Sequence, residues 1–334
     1  MSFPASGLRP NQLLAHMCAG ETEVLYVLGN HATPRHVDFV CGTGLFQSLW
    51  FDLEHFDIPT QDLAVLNMVA RAYPMTTIAR FKATDYQSVM RVLESGVGGI
   101  MCAMVNSAEE ARQIVSWAKF NNPAPGANEV VGTRGWNGGG VDARYGTLAA
   151  ADYVRHQNNE VAILCQIETE EAAAVLDDIV AVPGVDGIFF GPGDYAHRIG
   201  KLGQIGHPDV IAVMARLAES CKRHGKFWGT LGPGKEMFRQ VKGLGAQLIC
   251  PGGDVRVMLN GIRELAKTFA EEQPRYAWKG QGSWTKGRGR RERRQDLTVA
   301  REAPGAKTGS MRWTGCVTGS PRRRDWSGYR SRFA

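Results

Sequence analysis

The chain has 334 residues, 43% hydrophobic and 22% charged, the balance of a globular protein with room for one large domain or two ordinary ones. No run approaches the ~18 apolar residues of a membrane span, the stretch from Met1 to Arg9 lacks a signal pattern, and the seven cysteines contain no Cys-x-x-Cys pair, so a reduced cytoplasmic protein is expected. The net charge of +6 is uneven: residues 275–334 carry sixteen Lys and Arg against four Asp and Glu, leaving residues 1–274 mildly acidic at 23 against 29.

In chain order, apolar strands are expected at 24–28 and 48–52, followed by an amphipathic helix at 62–71. A strand at 76–80 leads to a helix at 86–95, and a strand at 99–101 to a helix at 108–119. Asn106 and Ser107 supply N-cap chemistry for that helix, with Glu109 and Glu110 in its first turn. An irregular stretch rich in Gly, Pro and Asn runs over 121–145. Its length and its place after strand four make it a candidate active-site loop. Strands at 161–167 and 187–190 flank a helix at 170–180. A helix at 209–224, a strand at 227–230, a helix at 235–242 and a strand at 247–250 follow.

Eight strands alternating with helices over roughly 270 residues predict a (β/α)8 TIM barrel rather than an open sheet. No Gly-x-Gly-x-x-Gly follows the first strand, which argues against a dinucleotide-binding domain. The barrel domain is therefore assigned to residues 1–273. Residues 274–334, with Gly287-Arg-Gly-Arg-Arg-Glu-Arg-Arg294, show neither helical nor strand period and read as a disordered basic tail. Such a tail is either a solvated appendage, a product of a reading-frame accident among its origins, or an arm for single-stranded nucleic acid.

Barrel enzymes work at the C-terminal ends of their strands. There the chain places Asp52, Glu54 and His55 after strand two, and Arg80 after strand three. Gln166 and Glu168 end strand five, and Gly191-Pro-Gly193-Asp194 ends strand six. Glu168 and Asp194 lie one strand–helix–strand repeat apart and emerge side by side on one rim. Together they can hold a hard divalent cation through oxygen. Singly, each has a plainer reading: Glu168 or Asp194 as a helix cap, Arg80 as a rim ion pair, His55 as a satisfied loop histidine.

Read together, Asp52-Leu-Glu-His55, Arg80, Gly96-Val-Gly-Gly-Ile-Met101, Gly132-Thr-Arg-Gly135, Gln166-Ile-Glu-Thr169 and Gly184-Val-Asp-Gly-Ile-Phe-Phe-Gly-Pro-Gly-Asp194 resemble the HpcH/HpaI aldolase family. The resemblance extends over about residues 10–270 and implies a metal-dependent, class II pyruvate aldolase on a TIM barrel. It implies that Glu168 and Asp194 are metal ligands, for Mg²⁺, Mn²⁺ or Co²⁺. It implies that Arg80 holds a 2-oxo acid, that His55 is the acid–base residue, and that Asp52 is the carboxylate paired with it. Gln166 falls in the substrate-side motif, and the backbone N–H groups around Gly193 and Asp194 match those that receive the substrate carboxylate. A homo-oligomer, dimer to hexamer, is also implied.

The expected reaction is cleavage of a 4-hydroxy-2-oxo acid, such as a 2-dehydro-3-deoxy sugar acid or a 4-hydroxy-2-oxoheptanedioate-like diacid, to pyruvate and an aldehyde. Strands five and six contain no lysine for a Schiff-base route. The alternative within the same chemistry is a CoA-thioester lyase of the citramalyl or malyl type, for which no CoA-binding surface is marked. Ala103, Gly193, Tyr195 and Tyr26 depart from the residues common in the family at those places, which bears on substrate choice rather than on the metal ligands or the base.

Overall fold

Residues 8–121 and 132–273 are described by the computed structural model. The strands are β1 (Glu23–Leu28), β2 (Ser48–Asp52), β3 (Thr76–Phe81), β4 (Gly99–Cys102), β5 (Ala162–Ile167), β6 (Gly187–Phe190), β7 (Phe227–Leu231) and β8 (Leu248–Gly253). Every residue of β2 through β6 is buried, so these strands need cover on both faces. A ring of parallel strands inside a ring of helices supplies that cover. The eight strands close in sequence order, and β1 pairs with β8.

Alternation divides the core in two. Leu25, Trp50, Ile78, Met101, Leu164, Phe189 and Leu248 form the cluster inside the barrel. Tyr26, Phe51, Ala79, Ile100, Cys165, Ile188 and Ile249 pack outward in the cluster shared with the helices. The helix Gln12–Cys18, absent from the expected elements, is short and capped by the Asn11 side chain. Its Leu13 and Met17, one turn apart, are buried in the interior cluster. Asn11 donates to Gly98 O and Glu160 O at 2.7 Å each, fastening this plug to the N-terminal mouth of the barrel.

The helix expected at 170–180 is divided into Glu170–Ala174 and Leu176–Val180. Val175, β-branched and a weak helix former, takes φ −113° and ψ 22° between them. Cys41, Cys102, Cys165, Cys221 and Cys250 are buried free thiols, and burial pushes Cys165, Cys221 and Cys250 up to about 12. Among the described residues, no helix is long and apolar enough to cross a membrane.

One expectation is corrected. The described part of the irregular stretch, residues 132–145, does not descend from strand four into the catalytic rim. It lies between the helix Ala108–Ala118 and a second helix, Ala150–Glu160, which leads into β5, so the whole segment returns from helix to strand. Thr133 N–H donates to Ser116 O, Arg134 N–H to Lys119 O, and Arg71 Nη1 to Val141 O. Helix-to-strand connections lie at the N-terminal ends of the strands, away from the rim. Within it, Arg134 is buried in an ion pair with Asp142 at 3.0 Å and stacks over Phe120. The rest of that stretch and the predicted tail at 274–334 lie outside the described residues.

Leu13 has no exposed surface, and truncating a buried leucine leaves a cavity. Leu13→Ala is expected to destabilise the barrel by about 2–5 kcal/mol, measured as a lower midpoint in chemical denaturation.

Candidate active site

The interior alternation that points Trp50, Ile78 and Leu164 into the barrel brings Asp52, Arg80 and Gln166 to the next layer up, at the C-terminal mouth. Asp52 and Arg80 are register partners across β2 and β3. Their side chains meet in a forked ion pair: Arg80 Nε donates to Asp52 Oδ1 at 3.0 Å and Nη2 to Oδ2 at 2.5 Å. Both residues are buried, a setting in which an unpaired charge would be costly. On the other side, Arg80 Nη1 lies 3.2 Å from Glu54 Oε2. The guanidinium also sits 4.8 Å from the Trp50 ring centre, a cation–π contact. Two of its N–H groups thus donate to Asp52, Glu54 lies at ion-pair distance without a hydrogen bond, and the terminal nitrogens keep further donors.

Asp52 therefore does not make the pair with His55 that the resemblance implies. Register delivers it to Arg80, and its Oδ1 also accepts from the Glu54 N–H at 3.1 Å. His55 stands exposed at the rim and makes no hydrogen bond among the described residues.

Glu168 follows the last residue of β5 and is 1% exposed. Its Oε1 accepts from the Met104 N–H at 2.9 Å, and its Oε2 accepts from Gln166 Nε2. Met104 adopts φ 57°, a left-handed backbone in the turn after β4 that is uncommon for a residue with a side chain. Burial pushes the Glu168 carboxyl up to about 7. The hydrogen bonds from Gln166 and Met104 oppose that rise, and the charges of Glu54 and Asp194 add to it.

Across the β5–β6 junction, Gly191 N–H donates to Ile167 O at 2.9 Å, seating the start of the Pro192–Arg198 helix beside Glu168. A Cβ on Gly191 would collide with Glu168 Oε2 and lie 2.8 Å from its Cβ, so only glycine fits against that carboxylate. Gly193 and the exposed Asp194 occupy the first helical turn, where backbone N–H groups have no intrahelical acceptor.

This set of groups fits a hard divalent cation. Asp52 already matches the charge of Arg80, so Glu54, Glu168 and Asp194 leave the mouth short of positive charge. Gln166 Oε1 is buried without a hydrogen-bond partner among the described residues, a neutral oxygen in the same cluster. No group of three or more His, Cys, Asp or Glu side chains among the described residues is arranged to enclose an ion. A site with only two protein carboxylates suits a cation that keeps positions for water and substrate.

Of the residues singled out from sequence, the fold brings Asp52, Arg80, Gln166, Glu168, Gly193, Asp194 and His55 to one rim. Sequence reading missed Glu54 as a partner of Arg80, although its place two residues beyond Asp52 was a usable signal. It also missed Met104, whose role is carried by a backbone N–H, and Gly191, whose role is the space it leaves.

A family model described as HpcH/HpaI aldolase/citrate lyase matches residues 24–261. A hydroxypyruvate/pyruvate aldolase of Cupriavidus necator is 32% identical over 242 residues, covering 72% of this chain and 86% of that one. A 5-keto-4-deoxy-D-glucarate aldolase of Shigella dysenteriae is 30% identical, covering 78% and 97%. Among solved structures, an HpcH/HpaI aldolase from Desulfitobacterium hafniense is similar with a TM-score of 0.70 and 28% identity, covering 77% of this chain and 96% of that one.

The burial of Glu168 predicts a pH dependence of stability. Because the folded carboxyl sits at about 7, above the ~4.3 of an unfolded glutamate, the folded state holds its proton more tightly. The penalty for ionising it is absent below the unfolded value and is complete once pH has risen through the folded one. In chelator, the wild type is expected to lose about 3 kcal/mol more stability than Glu168→Gln between pH 4.5 and 7.5, read from denaturation midpoints at each pH.

Proposed function

The chain belongs to the HpcH/HpaI aldolase/citrate lyase family, and from that premise we propose that this carbon–carbon lyase cleaves a 4-hydroxy-2-oxo acid to pyruvate and an aldehyde. The observation that carries the proposal is the pairing, on one rim, of a buried carboxylate lacking a cationic partner with an arginine that retains free donors. Relatives named as aldolases of pyruvate-type and sugar-acid substrates support it. The family generally depends on a divalent metal, and Glu168 and Asp194 are the residues proposed to hold it.

When bound, the cation supplies a Lewis acid for the 2-oxo acid and the positive charge that this mouth lacks. The remaining work falls to the chain. Breaking the C3–C4 bond sends its electron pair toward C2 and leaves negative charge on the keto oxygen as an enolate. The spare N–H groups of Arg80 are proposed to meet that oxygen, in a position preset by Asp52, Glu54 and the Trp50 ring. The C4 hydroxyl must give up its proton as the aldehyde carbonyl forms. His55, exposed at the entrance, is the proposed base, and a proton returned to C3 completes pyruvate. The N–H groups of Gly193 and Asp194 are proposed to receive the substrate carboxylate, since negative groups are favoured at a helix N-terminus. Gln166 holds Glu168 and faces the same space.

The test is a pyruvate-release screen over 2-oxo-3-deoxy acids and 4-hydroxy-2-oxo diacids after chelation, with Mg²⁺, Mn²⁺ or Co²⁺ restored singly. Activity is expected to return with metal for the wild type and to stay absent in Glu168→Gln. His55→Asn should lower kcat by about 10²–10⁴-fold with little change in metal affinity. Arg80→Lys should also lose most activity, because an ammonium cannot reproduce the fork to Asp52 while presenting donors to substrate. Release from CoA thioesters but not from free acids would move the assignment to the thioester lyases of the same family. Full activity of Glu168→Gln after metal restoration would overturn the metal role.

A further inference from the structure

Met104, the backbone donor to Glu168, also touches two cations. Its N–H donates to Glu168 Oε1 at 2.9 Å, while its carbonyl accepts from Lys82 Nζ at 2.7 Å. Its sulfur accepts from Arg198 Nη2 at 3.6 Å. Lys82 follows β3, Met104 lies in the turn after β4, and Arg198 closes the Pro192–Arg198 helix after β6, so all three stand on the C-terminal rim. A single residue therefore separates each of these side chains from the carboxylate proposed to hold the cation.

The two cations are not equally engaged. Lys82 Nζ lies 3.8 Å from Glu110 Oε2, an exposed pair that shares its charge with a carboxylate. Arg198 is exposed, and its guanidinium pairs with no carboxylate among the described residues. Asp194 precedes it by four residues in the same helix, a spacing that puts the two side chains on one face and ordinarily favours an ion pair. That pair does not form, and the guanidinium reaches the Met104 thioether, a weak acceptor, instead. A thioether neutralises no charge. Arg198 therefore holds a full positive charge and a planar set of donors beside the turn that positions Glu168.

We propose that Arg198 is a specificity-determining residue that receives an anionic group at the aldehyde end of the substrate. Acids bearing a second carboxylate beyond C4 are then preferred over those with a neutral end. The inference rests on the aldolase reading of this mouth. With the 2-oxo acid end held at Glu168, Asp194 and Arg80, the chain beyond C4 leads away from the reacting centre toward the rim. The acidic groups there, Glu54 and Asp194, repel a second carboxylate. Arg198 attracts one, and its fork of donors matches the two carboxylate oxygens. Lys82 touches the same residue, Met104, and adds to the positive field on that side.

The test measures pyruvate release by the full chain, with Mn²⁺ restored after chelation, from pairs of acids matched except for the second carboxylate. One such pair is 4-hydroxy-2-oxoheptanedioate and 4-hydroxy-2-oxoheptanoate. The wild type is expected to favour the diacid in kcat/KM. In Arg198→Gln that preference should fall about tenfold, through a higher KM for the diacid. Arg198→Lys, which keeps the charge, should retain part of it, and adding Lys82→Gln to Arg198→Gln should lower it further. An equal loss on both acids would mark Arg198 as a support of the Met104 turn and overturn the inference. The wild-type preference persisting in Arg198→Gln would overturn it too, while leaving the aldolase reading in place. No pyruvate from any acid of either kind would remove that reading and this inference with it.

Discussion

A carboxylate withdrawn from water at the end of a barrel strand is the constraint around which the upper half of this molecule is arranged. Glu168 is satisfied by one backbone N–H and one side-chain amide and, among the described residues, by no cationic side chain. Neighbouring Glu54 and Asp194 make its ionisation harder. A fold that retained such a group for packing alone would gain more from an apolar residue. The adjacent features serve its placement: the left-handed turn at Met104, the amide of Gln166 and the missing side chain at Gly191.

Arg80 illustrates a second division of labour. An arginine in a buried mouth must be neutralised, yet one that is fully neutralised has nothing left for a ligand. The fork to Asp52 uses one edge of the guanidinium, the Glu54 charge lies beside its far end, and Trp50 stacks against it. The group is held on several sides and still keeps donors for a developing charge. The expectation of an Asp52–His55 pair assigned the carboxylate to chemistry, whereas the geometry makes it the anchor of the arginine. Any role for His55 then depends on its own position at the entrance.

The strands were legible because a parallel barrel buries both faces, so each reads as a short unbroken apolar run. β2 and β6 have the expected boundaries, and the other strands differ by no more than a few residues. Short elements were harder. The Gln12–Cys18 helix spans few residues and declares itself only through an Asn cap and the Leu13–Met17 spacing. The site residues were visible as types at strand ends, but their partners were not. Asp52 and Arg80 are neighbours through sheet register, a property of two strands rather than of either segment. The irregular stretch was misplaced because its position was counted from strand four, while the helix between decides which end of the barrel it returns to.

Gly191 has a consequence for how such a protein can diversify. Its hydrogen occupies the only room left beside Glu168, so any larger residue there moves the carboxylate itself. Gly193, two positions on, has open space where a Cβ would stand. Lineages or laboratory libraries seeking new aldehyde partners therefore have a tolerant position and an intolerant one within a single turn. Variation at the first should redirect selectivity while the reaction persists. At the second, it should extinguish the reaction before selectivity can be sampled.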